Sequence, residues 1–292
     1  MKIAVSTDTS SAINLSLAKK LGIHVFPLNV IVNGEEFLDG VSINQEQLAK
    51  EMRGGKIIKT STPPPGDIIS YFEKIFEEGY EKVIHFTISS KLSSMNQLFN
   101  NVSRDYFDNK VIVIDSYSLC AVMLAQVLLA VEEVNKGTDI ESIVKQVEEI
   151  KEDGRVTFIP ENLTALKNGG RISPAVAALG NMIGLKPILR LKDGALEKVG
   201  MTRNIKKSIS ELIQELIKEY PIDKYDYNAV SFDGNEAIVS YIKSAIENTF
   251  EGYKCTVLPI AINVCAHCGP GTIGIIVTPH INGRSINPTY LF

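Results

Sequence analysis

Two hydroxyl-rich turns, one histidine and two arginines are the side chains here whose types and spacing could do chemistry. Thr60 and Ser61 stand in Lys59-Thr60-Ser61-Thr62-Pro63-Pro64-Pro65, and Ser93 and Ser94 end Ser89-Ser90-Lys91-Leu92-Ser93-Ser94. Both turns offer hydroxyls and free backbone N–H groups, and neither carries a carboxylate, a metal ligand or a nucleophile–base pair. That equipment suits holding an anionic head group rather than breaking a bond. The second turn follows the apolar run 83–88 and precedes a predicted helix. Unpaired N–H groups and the dipole at a helix N-terminus favour a carboxylate or phosphate there.

His267 lies in Ala266-His267-Cys268-Gly269-Pro270-Gly271-Thr272, read as a loop before a strand. Gly269 and Gly271 would permit a close approach of backbone to a ligand. A histidine beside a bound carboxylate can donate a hydrogen bond to it. Arg171 follows Gly169-Gly170 at a predicted helix exit, and Arg203 follows Met201-Thr202 before another helix. An arginine projecting from such a turn can reach a phosphate or an acidic partner. Each of these residues also has an ordinary structural alternative. Ser93 could be an N-cap, Thr60 and Ser61 could close a turn, and His267 could simply fill a loop. Arg171 could bond the last carbonyls of its preceding helix. His24, His85 and His280 lack comparable surroundings and read as structural.

The elements that must position these groups follow from periodicity. The first half alternates short β-branched runs with helical patterns, the mark of a parallel α/β sheet. Strands are predicted at 2–7, 25–32, 83–88 and 111–115, and helices at about 66–78, 93–103, 119–135 and 140–152. Asn33-Gly34 and Lys192-Asp193-Gly194 signal hairpins. The second half adds strands at 156–159, 187–191, 195–199, 229–232, 256–260 and 272–278, with helices at 161–167, 204–219 and 235–248. This reads as an α/β protein of two domains, 1–154 and 155–292.

Bulk properties narrow the function. A net charge of −4 and a pI near 5.7 argue against nucleic acid as a partner, and no tryptophan offers a stacking platform. The apolar stretches 119–131 and 172–185 are too short or too interrupted to span a bilayer, so no stable membrane insertion is expected. No signal peptide is read, and a cytoplasmic protein is expected. Cys265-Ala-His-Cys268 has metal-ligand spacing but no second ligand pair, so no metal is expected. The four cysteines, Cys120, Cys255, Cys265 and Cys268, suit a reducing compartment, and the last two read as partly buried small hydrophobes.

In order and spacing, the chain resembles the DegV family of bacterial fatty-acid-binding proteins along nearly its whole length. The family's opening Asp-Ser-Thr stands here as Asp8-Thr9-Ser10, and its Thr-Ser-Gln-Pro turn as Thr60-Ser61-Thr62-Pro63. Its Ser-Ser-Gly-Leu-Ser-Gly-Thr turn is Ser89-Ser90-Lys91-Leu92-Ser93-Ser94-Met95, and its Gly-Gly-Arg-Ile-Ser stretch is intact from Gly169 to Ser173. The Lys-Pro-Ile-Leu and Asp-Gly segments follow at 186–189 and 193–194, and the His-Thr-Gly-Pro-Gly turn is His267-Cys268-Gly269-Pro270-Gly271.

The resemblance implies a two-domain fold with a long-chain fatty acid between the domains. It implies that Thr60, Ser61, Ser93, Ser94 and His267 hold the carboxylate. It further implies that a separate ATP-dependent fatty acid kinase acts on that carboxylate, making acyl phosphate for phospholipid synthesis. The chain itself would then be no enzyme and need no cofactor beyond the bound lipid. Arg171 and Arg203 would lie near the mouth and face the kinase or its phosphate. Lys91 and Ser94 replace family glycines and Thr62 replaces a glutamine, which could alter how the head group is held.

Burying one methylene contributes about 0.8 kcal/mol, so a sixteen-carbon tail could contribute roughly 10 kcal/mol before ordering costs. Ala175, Ala177, Ala178, Gly180, Met182, Ile183 and Leu185 could line its tunnel, or could merely pack one helix closely on its neighbour. Two other readings stay open. The chain could be a small-molecule kinase subunit resembling that of dihydroxyacetone kinases, with His267 as covalent anchor, although no P-loop is present. It could also be a sensor that uses the same pocket.

Overall fold

The computed structural model describes residues 1–177 and 184–286. Four strands, β1 (Ile3–Asp8), β2 (Ile23–Phe26), β6 (Lys82–Thr87) and β7 (Val111–Asp115), form a parallel sheet in the order β2-β1-β6-β7. Strands β3 (Asn29–Val32), β4 (Glu35–Leu38) and β5 (Ile58–Ser61) make a small antiparallel sheet, β4-β3-β5. The later part of the chain builds a six-stranded mixed sheet from β8 (Arg155–Ile159), β9 (Lys186–Lys192), β10 (Ala195–Thr202), β11 (Tyr225–Phe232), β12 (Thr256–Leu258) and β13 (Thr272–Pro279). Its order is β10-β9-β8-β13-β11-β12, with only the β11–β12 pair parallel.

Helices α1 (Leu15–Leu21), α2 (Gln45–Arg53), α3 (Pro65–Glu77), α4 (Met95–Tyr106), α5 (Cys120–Lys136) and α6 (Ile140–Glu149) accompany the first two sheets. Helices α7 (Thr164–Gly169), α8 (Pro174–Ala177), α9 (Ile205–Glu219), α10 (Glu236–Thr249) and α11 (Ile262–Cys268) follow. The apolar run in α5 is explained by its place: it packs on β1 and β6 on one side and on β13 on the other. Buried by both large sheets, it has little polar face to keep. Among the described residues no helix is long and apolar enough to cross a membrane.

Three local expectations need correcting. The strand expected at 25–32 is two strands in different sheets, because Pro27 has no N–H to donate and interrupts the ladder. The stretch around Thr60 is not only a turn: Thr60 and Ser61 end β5, paired with Val30 and Asn29. His267 is not in a loop but in the last turn of α11, a seven-residue helix too short to show periodicity. The Asn33-Gly34 hairpin does form, with both residues at positive φ.

His85, in the middle of β6, is fully buried and stacked on Phe99 at 4.2 Å. Its Nδ1 and the Ser6 hydroxyl share a 2.8 Å hydrogen bond, and Ser6 in turn meets the Tyr71 hydroxyl. Burial pulls the imidazole down to about 3, so it stays neutral as part of the core.

Candidate functional site

The end of β5, the turn between β6 and α4, and the junction of α7 with α11 meet at one cavity. Thr60, Ser61, Ser93, Ser94, Arg171 and His267 all line it, together with Thr62, Asn263 and apolar residues that include Leu28, Ile88, Leu92 and Phe158. Its volume is about 790 Å3, counted to the open mouth. Thr60 Oγ1 and His267 Nε2 lie 2.8 Å apart across 207 residues of chain. Burial, and then the Arg171 charge, push the His267 imidazole down to about 4, so without a ligand it is neutral near pH 7.

The second turn has an internal scaffold. The backbone N–H groups of Leu92 and Ser93 both donate to Ser89 O. The buried Ser89 hydroxyl donates to Gly194 O at 2.6 Å, tying the turn to the β9–β10 hairpin. A Cβ on Gly194 would stand 2.6 Å from that hydroxyl, and φ there is +77°, so glycine is needed on both counts. Lys91 is exposed and leans on this hairpin, outside the cavity lining. Ser94 occupies the N-cap position of α4 but makes no side-chain cap bond, and Ser93 Oγ accepts only a long 3.4 Å bond from Met95 N–H. A twelve-residue helix thus turns its N-terminus and two lightly used hydroxyls toward the cavity.

Arg171 takes its structural reading and also faces the cavity. Its guanidinium donates to Gly169 O at the end of α7 and, at 3.1 Å, to Leu92 O in the second turn, while it lines the cavity half-buried. Arg203 is placed differently. It is exposed in the turn after β10, and does not line the cavity. Along that strand it stands seven residues, ~20 Å, from the cavity-lining Leu196.

The atoms close to Gly269 and Gly271 are those of Ala165 and Glu161, so their close approach is to the protein's own chain. Cys265 and Cys268 are fully rather than partly buried, as are Cys120 and Cys255. Among the described residues no cluster of three His, Cys, Asp or Glu side chains could hold a metal ion.

Behind the cavity lies a polar network that sequence reasoning missed. Asp8 is fully buried and accepts from Ser10 N–H at 2.7 Å and Ile88 N–H at 2.9 Å. Asp39, 3% exposed, accepts from Asn263 N–H at 2.9 Å near the start of α11. Asn263 Nδ2 donates to Ser10 Oγ at 2.7 Å. The helix bearing His267 is therefore anchored to the first part of the chain by two acids, of which Asp8 stood in a recognised motif without this role and Asp39 had no signal in sequence.

Burial dominates the titration of Asp39, raising it from an ordinary 3.8 to about 7. The folded chain then keeps a proton that the unfolded chain has released, so stability falls as pH rises from about 4 through 7. Asp39→Asn retains an acceptor and removes this titration. Its gain over the native protein should be small at pH 5 and larger at pH 8, with an upper bound of roughly 4 kcal/mol at 1.36 kcal/mol per pH unit. Melting curves that keep the same native-to-variant difference at both pH values would contradict this.

A second, apolar space adjoins the cavity. This narrow space is lined by Leu119, Cys120, Val156, Phe158, Val230, Ile260, Val264, Cys268, Thr272 and Ile276. Leu119, Phe158, Val264 and Cys268 line both, so the two spaces are neighbours with these four side chains between them. The one hydroxyl in the inner lining, on Thr272, donates to the carbonyls of Cys268 and Gly269. This apolar space lies between α5, α11 and the six-stranded sheet. Of the tunnel residues expected from sequence, Ala178, Gly180, Met182 and Ile183 lie outside the described residues, and Leu185 lines neither cavity.

Fold and site together define an α/β protein with a deep apolar cavity whose mouth is polar. The chain belongs to the DegV family: the family profile, described as an uncharacterised protein of the DegV family, matches residues 2–280. It is similar to a DegV domain-containing protein of Staphylococcus aureus strain N315, 30% identical over 278 residues that cover 94% of this chain and 98% of the relative. Among solved structures, a fatty-acid-binding DegV family protein from Thermus thermophilus aligns with a TM-score of 0.84 at 29% identity, covering 95% of this chain and 99% of that one. A stearic-acid-binding protein from Eubacterium ventriosum aligns with a TM-score of 0.82 at 25% identity, covering 95% and 98%.

Proposed function

We propose that this protein encloses the tail of a long-chain fatty acid in the two adjoining cavities. The carboxylate is held by Thr60, Ser61, Ser93, Ser94 and His267. A separate ATP-dependent fatty acid kinase in the cytoplasm acts on the presented head group, and the acyl phosphate feeds phospholipid synthesis. In this reading the chain is a carrier and not an enzyme. Arg171 serves the head group or its phosphate at the mouth, and Arg203 serves the partner's surface from outside the cavity.

The observation that supports it most is the position of the Thr60–His267 pair and the α4 N-terminus at the open end of a cavity whose inner part is apolar. An arriving carboxylate would accept from hydroxyls and helix N–H groups, and would favour a proton on His267. The relatives described as fatty-acid-binding agree with this reading.

Protein purified without added lipid should release a long-chain fatty acid on denaturation, detected by mass spectrometry. Absence of any such acid, together with failure to load one, would defeat the reading. Ser93→Ala should weaken retention by roughly 10- to 100-fold, the worth of one hydrogen bond to a charged group. Arg171→Ala should leave retention within a few-fold but lower transfer by the kinase more than tenfold. ATP turnover by this chain alone would instead favour the kinase-subunit reading.

A further inference from the structure

Asn263 is 6% exposed, lines the outer cavity and has no hydrogen-bond partner for its side-chain oxygen Oδ1 among the described residues. Asn263 and His267 are four residues apart on α11, so both project from one face with Cβ atoms ~5–6 Å apart. The amide is pinned. Its backbone N–H donates to Asp39, and Nδ2 donates to the fully buried Ser10 hydroxyl. Leu28 and Ile88 are bonded through their backbone N–H groups to Thr9 and Asp8 of the same network. Both also line the cavity, with apolar side chains that carry no donor.

From this we propose that Asn263 is a specificity-determining residue. It favours an acyl ligand with a hydroxyl on the second or third carbon over the plain fatty acid. The inference rests on the fatty-acid reading of the same cavity. An ionised carboxylate only accepts hydrogen bonds, so it cannot satisfy a buried amide oxygen. A hydroxyl donates to that oxygen. Turning the amide end for end changes little: Ser10 would donate to Oδ1, the NH2 end would be free, and a hydroxyl would accept from it. A hydroxyl therefore suits either orientation, whereas a carboxylate suits one. With the head group at Thr60 and His267, a hydroxyl two or three carbons along the chain comes within the span of one helical turn. Leaving a buried polar atom unpaired is costly, and this produces the preference.

The test is a displacement assay on the delipidated full-length protein, with palmitic acid and its 2- and 3-hydroxy counterparts competing against a fluorescent fatty acid. The better hydroxy acid should bind about tenfold tighter than palmitic acid. Asn263→Leu, similar in size and without a polar atom, should abolish the preference, so that hydroxy and plain acids bind equally whatever the change in overall affinity from the lost bond to Ser10. Ser10→Ala, which leaves Asn263 in place but unpins it, should narrow the preference. Equal binding of hydroxy and plain acids by the native protein overturns the inference, as does a ratio unchanged by Asn263→Leu. Native protein that binds none of the acids overturns the fatty-acid reading itself, a different outcome from binding all of them equally.

Discussion

Val264→Phe is expected to reduce binding of a sixteen-carbon fatty acid by more than a thousandfold while leaving acids of six to eight carbons within a few-fold of native. Val264 lines both spaces, so on the proposed path of the tail a larger side chain there closes the way from one to the other. If about eight methylenes are turned out of the inner space, roughly 6 kcal/mol of burial is lost at ~0.8 kcal/mol each. Val264 is only partly buried, which limits the cost of the larger ring to the fold itself. Overpacking a site of this kind commonly costs ~1–3 kcal/mol, visible as a lower melting temperature. Displacement titrations across a series of chain lengths would check the prediction. Unchanged affinity for the long acid would show that the tail does not run past Val264.

The second large effect concerns two adjacent glycines that the structure uses for different reasons. A Cβ at position 169 would lie 2.3 Å from His267 Nδ1, a contact that forces the imidazole to move. Gly169→Ala should therefore break the Thr60–His267 bond, lower stability by ~1–3 kcal/mol and weaken the long-chain acid at least tenfold. Gly170, at φ +69°, has open space around it and ends α7 in the left-handed conformation. Gly170→Ala should cost only about 1 kcal/mol of stability and leave ligand binding intact. Parallel melts and titrations of the two variants separate these roles. Two variants with the same binding defect would mean that contact with His267 is not what position 169 provides.

Much of the scaffold could be read along the chain because its causes are local. The run 83–88 is apolar because β6 is buried on both faces, and Asn33-Gly34 turns because both residues tolerate positive φ. The Gly-Gly-Arg stretch marked a helix exit, and α7 does end there. Short elements were less legible. Four residues of β5 and seven of α11 give periodicity too little length to register, so Thr60 and His267 were read in a turn and a loop.

What the sequence determined by itself is the inventory: hydroxyls at two turns, a lone histidine before Gly-Pro-Gly, an arginine after two glycines, and helices and strands long enough to carry their own period. Only the tertiary structure decided which of these meet. Thr60 reaches His267 across 207 residues, and Asp39 holds Asn263 across 224. It also put Arg203 at the far end of β10 from Leu196, and made an apolar space from strand and helix faces that no single segment encloses. The reason is physical: local periodicity records which face of an element avoids water, whereas a cavity and its buried acids arise from how several such faces close on one another.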